Sequence, residues 1–190
     1  AYRLGNDGSS NVGVGIEVLE DNTGNNNTAV GAHALKENTT ATDSTAIGFR
    51  ALDVNTTGVT NDAHGSGALG NNTTGGNNSA FGCGALAANT TASFNIAVGR
   101  NAVPSNTTGQ YNIGIGYTSL NTNTTGNQNS SLGYGALGAN TTGDLNTAIG
   151  QRALTANTTA SHNTAVGFNA LEVNTTGAYN TGIGQNALAS

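Results

Sequence analysis

The sequence predicts an all-β chain wound as a parallel β-solenoid (a β-roll), with one 17-residue repeat per coil. Three observations lead there. The segment Asn27-Thr28-Ala29-Val30-Gly31 returns, lightly edited, at Ser44, Asn61, Asn78, Asn95, Asn112, Asn129, Asn146, Asn163 and Asn180, with no insertion or deletion. Counting from that Asn column, the fifth residue is Gly in every unit, from Gly15 to Gly184. Finally, the composition opposes a helix: Gly costs about 1 kcal/mol against Ala in a helix interior, and the Thr and Asn that fill each unit are weak helix formers. A period so strict means that each unit adds the same rise and rotation, which builds a rod.

Each element of the repeat follows from its columns. Positions two to four, as in Thr28-Ala29-Val30, alternate in character with the two-residue period of a strand. The fixed Gly then closes the strand, and a freely varying pair such as Phe49-Arg50 or Tyr117-Thr118 forms a corner. Ala and Leu follow at positions eight and nine, with Val18, Ser119 and Val103 the exceptions. Asn-Thr-Thr occupies positions twelve to fourteen in nine successive units, and Gly or Ala comes next. With coils hydrogen-bonded at about 4.8 Å spacing, eleven of them span roughly 50 Å.

The substitutions within columns predict which side chains face inward. The fourth column (Val14, Val30, Ile47, His64, Phe81, Val98, Ile115, Leu132, Ile149, Val166, Ile183) is apolar in all but one unit, and is expected to be the core. The third column points the other way and stays small: Ala29, Ala46, Ala63, Ala80, Ala97, Gly114, Ser131, Ala148, Ala165 and Gly182, preceded by Gly13. A strip so small suggests close approach of another backbone, and it is read as a subunit interface around a symmetry axis. The alternative is a coil so flat that the strip is itself interior. On the interface reading, Ala97→Gln or Lys weakens association, whereas Ile115→Asp damages the coil. Asp62 and His64 then sit in inward columns and are expected to pair or to meet water.

Composition and charge narrow the function. Asn, Thr and Gly number 30, 29 and 29 of 190 residues, too regular in spacing for disorder and too poor in charge and aromatic content for an ordinary enzyme core. A solenoid folds with a thin core because each coil shares a ladder with its neighbours. The net charge of −5 disfavours nucleic acid and anionic membranes as partners, and no apolar run reaches membrane-spanning length. His33, His64 and His162 fall in three different columns, and the acidic residues are scattered likewise, so no metal, cofactor or catalytic cluster is expected and the chain is not read as an enzyme. Cys83, the one cysteine, lies in a variable outward column.

The Asn-Thr-Thr column carries two readings. Asn38, Asn55, Asn72, Asn89, Asn106, Asn123, Asn140, Asn157 and Asn174 each head an N-x-Thr glycosylation acceptor. Attachment points about 5 Å apart would crowd one another. Alternatively the same Asn side chains stack as a corner ladder whose amides satisfy buried backbone groups.

Residues 11–190 read as a single solenoid of about eleven repeats, and residues 1–10 as a degenerate segment or junction. No capping segment is recognised at either end, so the chain is expected to be a stretch of a longer protein or to dock end to end.

The motifs Asn-Thr-Ala-Val-Gly, Asn-Thr-Ala-Ile-Gly and Asn-Ile-Ala-Val-Gly resemble the head repeats of trimeric autotransporter adhesins. In those proteins three stacked β-rolls join along a small-residue face. The fuller unit, Asn-Thr-Ala-Ile-Gly-x-x-Ala-Leu-x-x-Asn-Thr-Thr-Gly, is similar to repeats of bacterial surface proteins and phage tail fibres. The resemblance covers residues 11–190 and implies a homotrimer or a head-to-tail filament outside the cell or on a virion. Its contacts would be with host or abiotic surfaces or with glycans. The expected function is thus a structural, adhesive fibre or surface filament, with a phage tail-fibre shaft as the alternative. A different class, an ice-binding protein using Thr ladders, is weakened because adjacent Thr residues in an extended chain point to opposite faces.

Overall fold

A computed structural model describes residues 2–3 and 10–189. It is all-β: among the described residues there is no helix, and twelve short strands form one sheet in sequence order. β1 (Tyr2–Arg3) is antiparallel to β2 (Val12–Val14), pairing Tyr2 with Val14 and Arg3 with Gly13. The other ten are β3 (Thr28–Val30), β4 (Thr45–Ile47), β5 (Asp62–His64), β6 (Ser79–Phe81), β7 (Ile96–Val98), β8 (Ile113–Ile115), β9 (Ser130–Leu132), β10 (Thr147–Ile149), β11 (Thr164–Val166) and β12 (Thr181–Ile183). From β2 onward every pair is parallel and in register, Ala29 on Ala46 on Ala63 and so along the axis. β1 thus lies along an edge of β2 that the sequence reading left uncapped. The remainder of segment 1–10, residues 1 and 4–9, lies outside the described residues.

Backbone bonding runs from coil to coil. Thr28 N donates to Ser44 O at 2.9 Å, Leu35 N to Ala51 O at 3.0 Å, and Gly48 N back to Val30 O at 2.8 Å. Because each repeat offers the same donors and acceptors in the same place, almost no backbone polar group needs a partner from outside its neighbouring coils. The strand-closing glycines are required by this stacking. Gly48 has φ 138°, and a Cβ there would lie 2.6 Å from the carbonyl carbon of Gly65 in the next coil.

Left-handed backbone recurs at three columns of each coil, the first being the residue two before Leu, as at His33 (φ 61°) and Arg50 (φ 56°). The Leu column adopts positive φ throughout, as at Leu52 (φ 51°) and Leu154 (φ 52°), and so does the residue before each Asn column, from Asn26 (φ 58°) to Tyr179 (φ 60°). A left-handed L-residue costs roughly 1–2 kcal/mol. At Leu the cost is offset by burial, because the tight turn swings the side chain into the coil, where Leu35, Leu52, Leu69 and their equivalents are wholly buried.

The strand faces are the reverse of the expectation from column chemistry. The small third column is the interior: Ala29, Ala46, Ala63, Ala80, Ala97, Ala148 and Ala165 are inaccessible, and Gly114, Ser131 and Gly182 are buried beside them. They pack on the Ala and Leu columns of the opposite wall. A Cβ on Gly114 would collide with Val103 Cγ2, and one on Gly182 would come within 3.0 Å of Leu171 Cγ. The only hydroxyl in each facing column is paired with the other, Ser119 Oγ donating to Ser131 Oγ at 2.6 Å. The strip therefore cannot be a subunit interface. The coil is flat, with room between its walls for one Leu layer and nothing bulkier. The fourth column, expected as core, points outward.

Candidate functional site

The outward sheet face is the feature of this chain with an evident physical consequence. Every strand from β2 to β12 contributes an apolar or aromatic fourth-column side chain, and Val14, Val30, Ile47, Phe81, Val98, Leu132 and Ile149 are each about 36–46% exposed. The second column adds Val12, Ile96 and Ile113 among Thr and Ser. Ile16, Phe49, Tyr117, Tyr134 and Phe168 extend the exposed apolar surface onto the next corner, where Tyr117 and Tyr134 stack with ring centroids 5.8 Å apart. Strands three residues wide over eleven rungs give a stripe about 10 Å by 50 Å, on the order of 500 Å² before the flanking corner is added. Contiguous apolar patches of this size are often contact surfaces.

His64 and Asp62, expected inside the coil, are half-buried on this outer face. The imidazole of His64 lies flat on Phe81, centroids 4.7 Å apart and planes 15° from parallel. Cys83 is exposed. Among the described residues no group of three His, Cys, Asp or Glu is placed to hold a metal ion, and no helix is long and apolar enough to cross a membrane.

Asn38, Asn55, Asn72, Asn89, Asn106, Asn123, Asn140 and Asn157 are buried in the coil and bonded one to the next. Asn72 Nδ2 donates to Asn55 Oδ1 at 2.8 Å and also to its own corner carbonyl, Gly75 O, at 2.9 Å. The ladder runs from Asn38, which donates to Asn22 Oδ1, to Asn174, which donates to Asn157 Oδ1 at 3.3 Å. Nitrogens held this way are not presented to a glycosyl donor in the folded chain. A second ladder, in the Asn27 column, went unrecognised in the sequence. Asn61 Nδ2 donates to Gly75 O at 2.8 Å, while Asn61 Oδ1 accepts from Asn78 N at 3.0 Å. Its invariance, broken only by Ser44, was the available signal. Among the described residues the one buried side-chain polar atom without a partner, Asn169 Oδ1, lies outside both ladders.

Truncating one rung tests the ladder. Asn106→Ala leaves Asn89 Oδ1 and one N–H of Asn123 without partners. At about 1–3 kcal/mol for each buried unsatisfied group, the expected loss is about 3 kcal/mol. Urea unfolding of the variant should show it as a lowered midpoint. An unchanged midpoint would mean that the amides contribute nothing beyond filling space.

The first Thr of each pair is also committed to the backbone. Thr56 Oγ1 donates to Thr73 O at 3.0 Å, and Thr73 Oγ1 to Thr90 O at 3.0 Å. The second Thr, from Thr40 to Thr176, is exposed in single file.

Among the described residues titratable groups are few, and only Asp53, paired with Arg50 at 2.8 Å, is buried. Glu17 and Lys36 pair at 2.8 Å, so the Lys36 hydrogen bond and charge hold the Glu17 carboxyl below its usual range, and Glu17 in turn raises Lys36. Asp43 is lowered by hydrogen bonds from Asn26 Nδ2 at 2.9 Å and Thr42 Oγ1 at 2.8 Å. Both carboxylates favour the folded state above their unfolded pKa, and that contribution is lost as pH falls through the lowered value. Both are solvent-exposed, so the effect on stability is small.

Comparison with known protein families, curated proteins and solved structures finds no match. The fold itself defines the class: a tandem-repeat parallel β-solenoid of about ten 17-residue coils, whose architecture suits a structural or filament-like role.

Proposed function

We propose that this chain is a structural component of a long extracellular fibre or surface filament and that it assembles with copies of itself through the outer sheet face. The observation that carries the reading is the outward-facing, exposed or half-buried apolar side chain on every rung from Val14 to Ile183, interrupted in kind only by His64. An apolar stripe of this size is commonly a contact surface, and a self-complementary face is the ordinary device of homo-oligomers. With its flanking corner, the face approaches the roughly 800 Å² per partner of a standard interface. Three chains packed about an axis parallel to the solenoid would bury it completely. The resemblance to adhesin head repeats favours that trimer, although here the small residues fill the coil and the larger ones are left for the partner.

Sedimentation equilibrium at micromolar concentration, with electron microscopy of the same sample, tests the proposal. The expected result is a stable oligomer seen as a rod at least about 50 Å long. A monodisperse monomer would sink it. A phage tail-fibre shaft would use the same contacts, and imaging of the native particle tells the two apart. The ice-binding reading loses ground because the first hydroxyl of each Thr-Thr pair from Thr39 to Thr158 is turned to a carbonyl of the next coil. Appreciable freezing hysteresis would restore it.

A further inference from the structure

We propose that one flank of the solenoid carries a binding site for a neutral saccharide, centred on the cleft between Tyr111 and Leu145. It would give the fibre's surface contact a ligand class, but it requires only the single chain.

The site lies in the column that precedes each Asn27-type residue. Over six consecutive coils this column reads Phe94, Tyr111, Gln128, Leu145, His162, Tyr179, after Asn26, Asp43, Thr60 and Asn77 in the earlier coils. All ten are held at positive φ, which Asn and Asp tolerate and bulky side chains resist. The backbone therefore does not ask for an aromatic residue here, and Tyr111 (52% exposed) buries too little to act as core.

Phe94 and Tyr111 stack, with centroids 5.0 Å apart and planes 3° from parallel. That separation matches the coil spacing, so the rings stack along the solenoid axis and Phe94 covers one face of Tyr111. At the next coil the series breaks, because Gln128 replaces a ring. Beside this end of the stack lies a cleft of about 380 Å³ lined by Gln110, Tyr111, Asn127, Gln128, Asp144 and Leu145. The cleft has an aromatic wall, an aliphatic wall two coils away, and amides and a carboxylate between them. Asp144 is fixed, its Oδ1 accepting from Asn127 N at 2.6 Å and from Asn127 Nδ2 at 3.2 Å. Its second oxygen makes no hydrogen bond within the described chain, and neither do the side-chain amides of Gln110 and Gln128.

A pyranose ring matches this arrangement. It has an apolar C–H face to lie on Tyr111 and a rim of hydroxyls to donate to the Asp144 carboxylate and exchange bonds with the two glutamine amides. Convergent polar groups beside an aromatic platform are what orient a small ligand in a shallow site. Because Asp144 is already anchored, little ordering is lost on binding. The charge selects among sugars: the cleft holds a carboxylate and no cationic side chain, on a chain of net charge −5, so acidic sugars are repelled.

Saturation-transfer NMR on the full chain provides the test, with cellotetraose, chitotetraose and maltotetraose as neutral probes and tetragalacturonate as the acidic one. At least one neutral probe is expected to receive transfer at its ring C–H protons, and the acidic probe none. Tyr111→Ala should weaken that binding by about tenfold or more, while Tyr111→Phe keeps it within about twofold. Gln128→Tyr, which continues the stack and fills the cleft, should weaken it as much as Tyr111→Ala. Tyr117→Ala, on another corner, should leave it unchanged. Absence of transfer to every neutral probe, equal transfer to tetragalacturonate, or an unaffected Tyr111→Ala would each overturn the assignment. Sedimentation of the same variants keeps this test separate from that of assembly. A Tyr111→Ala chain that assembles but no longer takes sugar supports the site, and one that loses both makes Tyr111 an interface residue and removes it.

Discussion

Replacing Ala97 with lysine unfolds the coils around it. Ala97 is inaccessible at the centre of β7, between Ala80 and Gly114 on the neighbouring rungs, with the Ala and Leu columns filling the opposite wall. No space exists for three further methylenes and an ammonium group, and the Ala, Leu and Val side chains of the core around it offer no carboxylate to pair with the charge. Overpacking alone costs about 1–3 kcal/mol, and burying an unpaired charge adds several more. A loss of at least about 4 kcal/mol is expected, which places the substitution among the severe ones. Circular dichroism should show reduced strand signal or a strongly lowered melting temperature, and limited proteolysis should cut near β7. A variant that melts like the wild type would return Ala97 to the surface and the flat coil would be wrong.

The neighbouring residue gives the opposite outcome. Val98→Lys leaves the coil folded and abolishes assembly. Val98 lies on the outer face, 38% exposed between Phe81 and Ile115, so a lysine there extends into solvent in the isolated chain. Surface substitutions of this kind change stability by less than about 0.5 kcal/mol. In an assembly the same ammonium is buried in an apolar face and repeated in every copy around the axis, so like charges meet without counter-ions. A loss of about 3 kcal/mol, roughly a hundredfold in Kd, is expected. The measurement is sedimentation alongside melting: a monomer with unchanged circular dichroism. Normal assembly of Val98→Lys would locate the contact elsewhere on the chain.

These paired substitutions exchange the results anticipated from column chemistry, where Ala97 was assigned to association and the fourth column to the coil. The reason is instructive. In a globular sheet, large apolar columns go inside because the interior has volume to fill. A 17-residue coil with three-residue strands and two left-handed corners encloses only one Leu layer, so its interior selects small residues from the strand and rejects Val, Ile and Phe. The signal was present in two compensating pairs, Ser119 with Ser131 and Val103 with Gly114. Each joins the third column to the far wall and so puts that column inside. Column averages hide such pairs.

The amino-acid sequence by itself determined the coil length, the parallel in-register stacking, the strand positions and the fixed Gly, because strict periodicity forces each repeat to reproduce its neighbour's backbone. It also marked Asn38 and its equivalents as ladder or acceptor sites. Only the tertiary structure decided which strand face is dry, since that depends on the distance between two walls on opposite sides of a corner. The same is true of the cleft beside Tyr111, made where an aromatic stack along the axis stops at Gln128. Facing, unlike periodicity, is a property of enclosed volume, and volume is set by where the corners turn.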